Sequence, residues 1–460
     1  MSAEPERPQP EPQTPLIEVG SAETPKLERR CRELHLGGRS YPVWTSAMVE
    51  AIERYRQAGR RWYLLHDKLY GAANLKAAWE QVKENGGAAG VSGQTIAQYG
   101  DGLEHRLNDL ARRLKEQTFE ARPIRRVYIP KGNGKLRPLG IPEVEDRVVQ
   151  AALVRLIEPI FETKFSEVSY GFRPERSAHN ALAALVAAME AGYTQIVDAD
   201  ITDCFGSIPW TPLLQEVARE VSDPKVLGLV KKFLKAKVME QMKSWQPGAG
   251  TPQGAVLSPL LANIYLHRFD EEMTRAGYRM VRYADDFVIL CRTPEEAEQA
   301  RQEAQRTLAH MGLQLHPEKT RIVDATREKF QFLGYEFWPA GRAPRPSSRQ
   351  KLNDRIRART PRNAGRSLRV IIASLTPTLR GWYGYFRHSN WRTFAWVDGF
   401  VRRRLRSILR RFEKRRGSAR RPDNLRYPNH IFEQLGLFSM ATQHRAEAGS
   451  EGLIAFAAKA

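Results

Sequence analysis

The chain has 460 residues, 42% of them hydrophobic and 27% charged, enough apolar mass for a large soluble core divided among two to four domains. Lys and Arg number 73 against 52 Asp and Glu, a net charge of +21 that points to a polyanionic partner, and no apolar run approaches the roughly 18 residues of a membrane span. Cys31, Cys204 and Cys291 are too scattered for a zinc ribbon or a disulfide framework, and no signal pattern opens the chain, so a reducing cytoplasm and no membrane partner are expected.

Residues 1–25 hold six prolines and no aromatic side chain, and a poorly ordered extension is expected over 1–40. Apolar residues at three- and four-residue spacing predict helix from Pro42 to Lys83, stopped by Asn85-Gly86-Gly87, and another from Thr95 to Lys115. Asn133-Gly134 marks a hairpin turn between strands Val127–Pro130 and Lys135–Ile141. Helices are expected over Glu143–Thr163, Ala178–Ala191, Pro212–Lys237 and Glu295–Met311. Strands are expected over Gln195–Ile201 and Phe330–Phe337, with a strand, tight turn and strand over Arg279–Cys291. From about Ser347 the pattern is helical. The expected organisation is an α+β body over 41–340, a basic helical domain over 341–430 and a short tail over 431–460.

Acids stand at the ends of two of these strands. One segment carries Asp198, Asp200 and Asp203; the other carries Asp285 and Asp286, just before the wholly apolar stretch Phe287–Leu290. Turns favour Asp, so the second pair alone would be an ordinary turn. Two acidic strand ends together are costly to bury unless a cation neutralises them, and Mg²⁺ with its oxygen ligands suits that role.

Tyr283–Asp286 resembles the signature hairpin of reverse transcriptases, and Asp198–Phe205 its partner aspartate motif. Gly250–Ile264, with its Pro252-Gln253-Gly254 core, resembles the group II intron-encoded reverse transcriptases in particular. So do Asn85–Val91, Arg137–Pro142 with Asp146–Gln150, Tyr170–Pro174, Phe332–Tyr335 and, in the maturase region, Leu379–Tyr385. The resemblance implies a right-hand polymerase of fingers and palm followed by an all-helical thumb, the maturase domain. It implies RNA-directed DNA synthesis from dNTPs on an RNA template with a DNA primer, with two Mg²⁺ ions, and help in splicing a structured intron RNA. By the same resemblance Asp200, Asp285 and the Ile201 carbonyl ligate metal, with Asp286 in support and Asp198 a structural or solvent-facing neighbour. Lys135 and Arg137 hold the triphosphate, Gln253 contacts nucleotide and template, and Phe205 excludes a 2′-hydroxyl. Lys319 either protonates leaving pyrophosphate or is a surface lysine. Two positions depart from the family pattern: Ser92 and Gly206 stand where Asp is usual.

Residues 341–430 contain 25 basic and 4 acidic side chains, which is the whole excess of charge, interleaved with aromatics that read mostly as core. On the helix expected around Val401–Phe412, Arg402, Arg403, Arg404, Arg406 and Arg410 are the expected phosphate contacts. The family's H-N-H nuclease, with its paired cysteines, is expected to be missing. Rival readings are an RNA-copying RNA polymerase, opposed by Phe205; an RNA-binding maturase with little polymerase activity, opposed by the intact acids; and a reverse transcriptase recruited to host defence.

Overall fold

A computed structural model describes residues 34–130, 136–241, 243–339, 341–361, 363, 365–415 and 422–447. Most of the expected extension, Cys31, Lys135 and the Asn133-Gly134 turn lie outside the described residues. Residues 34–41, by contrast, form a small hairpin, and Tyr41 at its end is fully buried with its hydroxyl donating to Glu158.

The helix Val144–Glu162 runs through the body, buried along nearly all its length, as a helix that is apolar on most sides must be. Around it lie Ser46–Gln57, Ala72–Asn85 and Leu103–Lys115. The helical reading of Pro42–Lys83 breaks at Gly59, whose positive φ ends the first helix; Trp62 then leaves helix to donate its N–H to the Glu220 carbonyl. Pro212–Lys237 breaks too, into Trp210–Glu220 and Pro224–Leu234. Asp223 precedes a proline, which disfavours helix. Its carboxylate caps Lys225 and Val226 and also accepts the N–H groups of Leu65 and His66.

Four antiparallel strands form the palm sheet, in the order Arg321–Asp324, Gln195–Asp200, Asp286–Cys291, Arg279–Tyr283. Helices Ser258–Arg275, Pro294–His310 and Ala178–Glu190 pack against it. A second sheet pairs Ile124–Pro130 with Leu136–Ile141 and, in parallel, with Val238–Glu240. Phe330–Phe337 is a hairpin rather than one strand, because Leu333 and Gly334 both turn at positive φ. Gly341–Pro344 adds a third strand, so the body ends at about 345.

The basic region is helical: Pro346–Arg359, Leu368–Phe386 and Trp391–Phe412 share a separate core. The expected tail contributes to it, since Phe432 and Met440 are fully buried there and Asp398 accepts the N–H groups of Met440 and Ala441. The arm meets the body at an aromatic seam. Tyr335 donates to the Tyr385 carbonyl at 2.7 Å, Tyr385 to the Leu333 carbonyl at 2.9 Å, and Arg342 to the His388 carbonyl at 2.9 Å. Among the described residues no helix is long and apolar enough to cross a membrane.

Candidate active site

The register of the palm sheet sets Asp200 directly opposite Asp286, and Asp286 in turn opposite Tyr283. Asp285 sits in the turn between strands, after Ala284 at φ 62°, a left-handed conformation that a non-glycine residue adopts only when its surroundings impose it. Those surroundings are visible. Arg282 donates to the Ala284 carbonyl at 2.9 Å, and a side chain at Gly171 would lie 2.4 Å from the Ala284 nitrogen. The Tyr170–Pro174 loop therefore lies against the turn, held by Asn263 donating to the Gly171 carbonyl at 2.8 Å.

The carboxylates load one another. Burial, and then the nearby Asp200, raise the Asp285 pKa, while Arg137 and Lys319 oppose the rise. Asp286 is pushed up to about 7, by burial first and then by Asp198, Asp200 and Asp285, with Arg345 opposing. Asp198 is raised chiefly by burial. It faces Arg321 across the strand pair at 3.2 Å, so its place is in a structural ion pair. Lys319 is exposed, and its ammonium group donates to the Asp200 carboxylate.

Among the described residues no group of three or more His, Cys, Asp or Glu is arranged to hold a metal ion by itself. Two carboxylates suffice for Mg²⁺, which keeps waters and takes phosphate oxygens from substrate. Asp200 and Asp285 offer hard oxygen donors whose mutual repulsion a cation relieves, so the residues fit a divalent ion. Ile201, beside them, is buried and bridges to Leu315.

The remaining nucleotide-contact candidates lie on the finger hairpin, in the turn after the acidic strand and on the loop that touches both. Arg137 is exposed on the finger strand opposite Ile129, near enough for its charge to act on Asp285. Phe205 is half-buried in the short turn Cys204–Ser207 just after the acidic strand, and its carbonyl accepts from Thr251 at 2.6 Å. The Gln253 carbonyl accepts from Gly140 at 2.6 Å. Gly254, at φ 103°, has no room for a side chain against the Gly140 carbonyl, so this loop is pinned to the fingers. Ser92 explains its own departure from the family pattern. Its hydroxyl and N–H both donate to buried Glu143 at 2.7 Å, where an aspartate would repel. Gly206 leaves room for the Asp203 carboxylate, which a side chain there would strike at 2.2 Å.

The basic arm corrects the expectation for two arginines. Arg406 is buried, donating to the Tyr427 carbonyl and to Asn429, and Arg410 is buried against Asp423 at 3.0 Å. Both tie Trp391–Phe412 to the segment after it, because a buried guanidinium must find acceptors inside the fold. Arg404 is bound to Thr360, at 3.0 Å to the hydroxyl and 2.6 Å to the carbonyl. Arg403 is exposed and Arg402 half-buried, loosely facing Asp398 and Glu433.

Sequence reasoning also missed Arg282. Alternation with Val281 and Tyr283 suggests a solvent-facing charge, yet both faces of that strand are covered and Arg282 is fully buried. A lone charge beside so apolar a strand was the available signal.

Residues 129–337 match the family model described as reverse transcriptase (RNA-dependent DNA polymerase), and residues 349–426 the model of the group II intron maturase-specific domain. The chain is 31% identical over 343 residues to the group II intron-encoded protein LtrA of Lactococcus lactis subsp. cremoris, covering 60% of this chain and 55% of that protein. It is 34% identical over 256 residues to Protein YkfC of Escherichia coli (strain K12), covering 47% and 67%. It is 25% identical over 377 residues to the putative COX1/OXI3 intron 1 protein of Saccharomyces cerevisiae, covering 68% and 44%. The chain thus spans about half the length of the first of these relatives.

Proposed function

The chain belongs to the group II intron-encoded reverse transcriptase and maturase family, and from that premise we propose that it copies RNA into DNA, adding dNTPs to a DNA primer, while its basic helical domain holds structured intron RNA and assists splicing and mobility. One observation carries the polymerase reading: Asp200 stands opposite Asp286 across paired strands, with Asp285 in the adjoining turn. Polymerases of this class depend on divalent metal; our finer proposal is two Mg²⁺ ions, held by Asp200, Asp285 and the Ile201 carbonyl. When bound, such ions supply positive charge that acidifies an attacking hydroxyl and neutralises departing phosphate.

The chain's own groups have separate tasks in this reading. Asp286 keeps the pocket acidic behind the ligands. Arg137 reaches over from the fingers to hold the triphosphate, and Lys135 lies on the same hairpin by sequence. Phe205 lies beneath the sugar and disfavours ribose. Gln253, held by its backbone to the finger strand, borders nucleotide and template. Lys319 offers its ammonium proton where pyrophosphate leaves. The compartment that goes with this reading is the cytoplasm, where RNA and dNTPs meet. Primer extension on an RNA template tests it: the wild-type chain should make cDNA with Mg²⁺ and none with EDTA, and absence of synthesis under any divalent ion would refute the polymerase reading.

A further inference from the structure

In the maturase domain, a cleft of about 590 Å³ opens between the helix Trp391–Phe412 and the segment from Asn424 to Asn429. Trp396, Gly399 and Arg403 share one face of that helix, at spacings of three and four. Trp396 is 48% exposed, an unusual state for the largest apolar side chain. It is not loose. Its ring stacks on Phe400, interplanar angle 6° and centroids 6.0 Å apart, and the Arg357 guanidinium lies 5.6 Å from the Phe400 centroid.

Gly399 is the telling residue. Glycine weakens a helix interior relative to alanine, and here no crowding demands it, since a side-chain carbon at this position would meet nothing within 4 Å. What the glycine does is leave the space beside the indole open. Positive charge lines that space through Arg402 and Arg403, and Asn429 stands at its edge with its side-chain carbonyl already engaged by Arg406 at 2.8 Å. The amide N–H groups of Asn429 are then the donors on offer.

We infer that this cleft takes a single unstacked nucleotide of RNA, its base against Trp396 in the gap left by Gly399, its phosphate at Arg402 and Arg403, and its edge at Asn429. A flat apolar wall, a slot, nearby cations and amide donors are what a splayed-out base requires, whereas a continuous duplex keeps its base faces stacked on one another and out of reach of the indole. This deepens the RNA-binding reading of the maturase domain and rests on it.

The test uses the purified 460-residue chain at fixed ionic strength and three RNA hairpins sharing one stem: fully paired, with one bulged adenosine, and with an abasic bulge. The adenosine bulge should bind about 10-fold tighter than the other two, within the range set by base–aromatic stacking. Trp396→Ala and Gly399→Leu should erase that preference and leave paired-stem affinity within about twofold, while Trp396→Phe should keep most of it. Equal binding of adenosine and abasic bulges by the wild-type chain would overturn the site while leaving the RNA-binding reading intact. So would a Trp396→Ala variant that loses all three hairpins alike. Failure of the wild-type chain to bind any of them would overturn both.

Discussion

Arg282 and Asp270 face each other with no accessible surface on either side chain, at 2.6 Å from Nε to Oδ1 and 2.5 Å from Nη2 to Oδ2. The three remaining Arg282 protons go to Ser169 at 2.8 Å from Nη2, and to Asn263 at 3.2 Å and the Ala284 carbonyl at 2.9 Å from Nη1. A buried pair is a weak source of stability but costly to break, because the surviving charge is left without a partner. Its consequence here is positional: one guanidinium joins the helix Ser258–Arg275 to the turn bearing Asp285. Asp270→Asn should lower the unfolding free energy by about 3–5 kcal/mol, read by urea denaturation. Extension by the folded fraction should lose kcat more than dNTP KM, since the turn and not the nucleotide contacts is released.

Asp285→Asn should abolish cDNA synthesis while leaving RNA affinity near the wild-type value, because the arm is untouched. Primer extension and filter binding on one preparation separate the two. Near-normal incorporation by the Asn variant would remove Asp285 from the metal site.

Phe205→Val opens space after the acidic strand. Ribonucleotide incorporation should rise relative to deoxyribonucleotide, by about 10-fold or more in the ratio of kcat/KM, as expected when a steric contact rather than a hydrogen bond discriminates. Single-nucleotide extension with matched dNTP and rNTP measures it; an unchanged ratio would make Phe205 a packing residue.

Asp146 gives a pH dependence remote from the acids of the palm. One oxygen accepts the Arg122 N–H at 3.0 Å, while burial raises the group from 3.8 to about 7. Between about pH 4 and 7 the folded chain keeps a proton that the unfolded chain has released, so this group's contribution falls as pH rises through that window and is level above it. Asp146→Asn should flatten the decline and make the protein more stable at pH 8 by up to about 4 kcal/mol. Chemical denaturation at pH 5 and pH 8 decides, and a variant less stable at pH 8 would contradict it.

The arginines of Trp391–Phe412 divide into two kinds with opposite signatures. Arg403→Ala should reduce the logarithmic salt slope of RNA binding by about one unit and leave the melting temperature unchanged. Arg410→Ala should cost about 3 kcal/mol of stability by removing the nearer of two arginines that face Asp423, Arg410 at 3.0 Å and Arg415 at 3.7 Å, where the carboxylate is 2% exposed. Salt titrations and thermal melts of the two variants form the comparison.

Elements with a strong local signal were legible in the sequence: the strand Gln195–Asp200, the acidic turn with the strands on either side of it, and the helices Val144–Glu162, Ala178–Glu190 and Pro294–His310 stand close to where periodicity places them, whereas the palm strand Arg321–Asp324 and the helix Ser258–Arg275 were not anticipated. The misreadings share a cause. At Gly59, Asp223 and Leu333-Gly334 a local device overrides a pattern that continues across it, and Asp223 in particular acts by capping one helix while holding Leu65 and His66, far away in sequence. Candidate site residues were legible through resemblance, but their supports were not. Arg282 and Arg410 are held inside by acids distant in sequence, Asp270 and Asp423 among their partners, and no spacing rule announces a partner that arrives through the fold.

The seam at Tyr335 and Tyr385 sets the leverage of the arm. Both hydrogen bonds of that pair fall at the last turn of Leu368–Phe386, and Ser348, near the start of the preceding helix, bonds back to the Gly334 carbonyl at 3.4 Å. The arm is therefore fastened along one edge. Nineteen helical residues extend about 28 Å from that edge, so a tilt of roughly 10° at the seam carries the far end roughly 5 Å. A displacement too small to disturb two tyrosine hydroxyls at the pivot becomes, at the tip, comparable to the step from one nucleotide to the next.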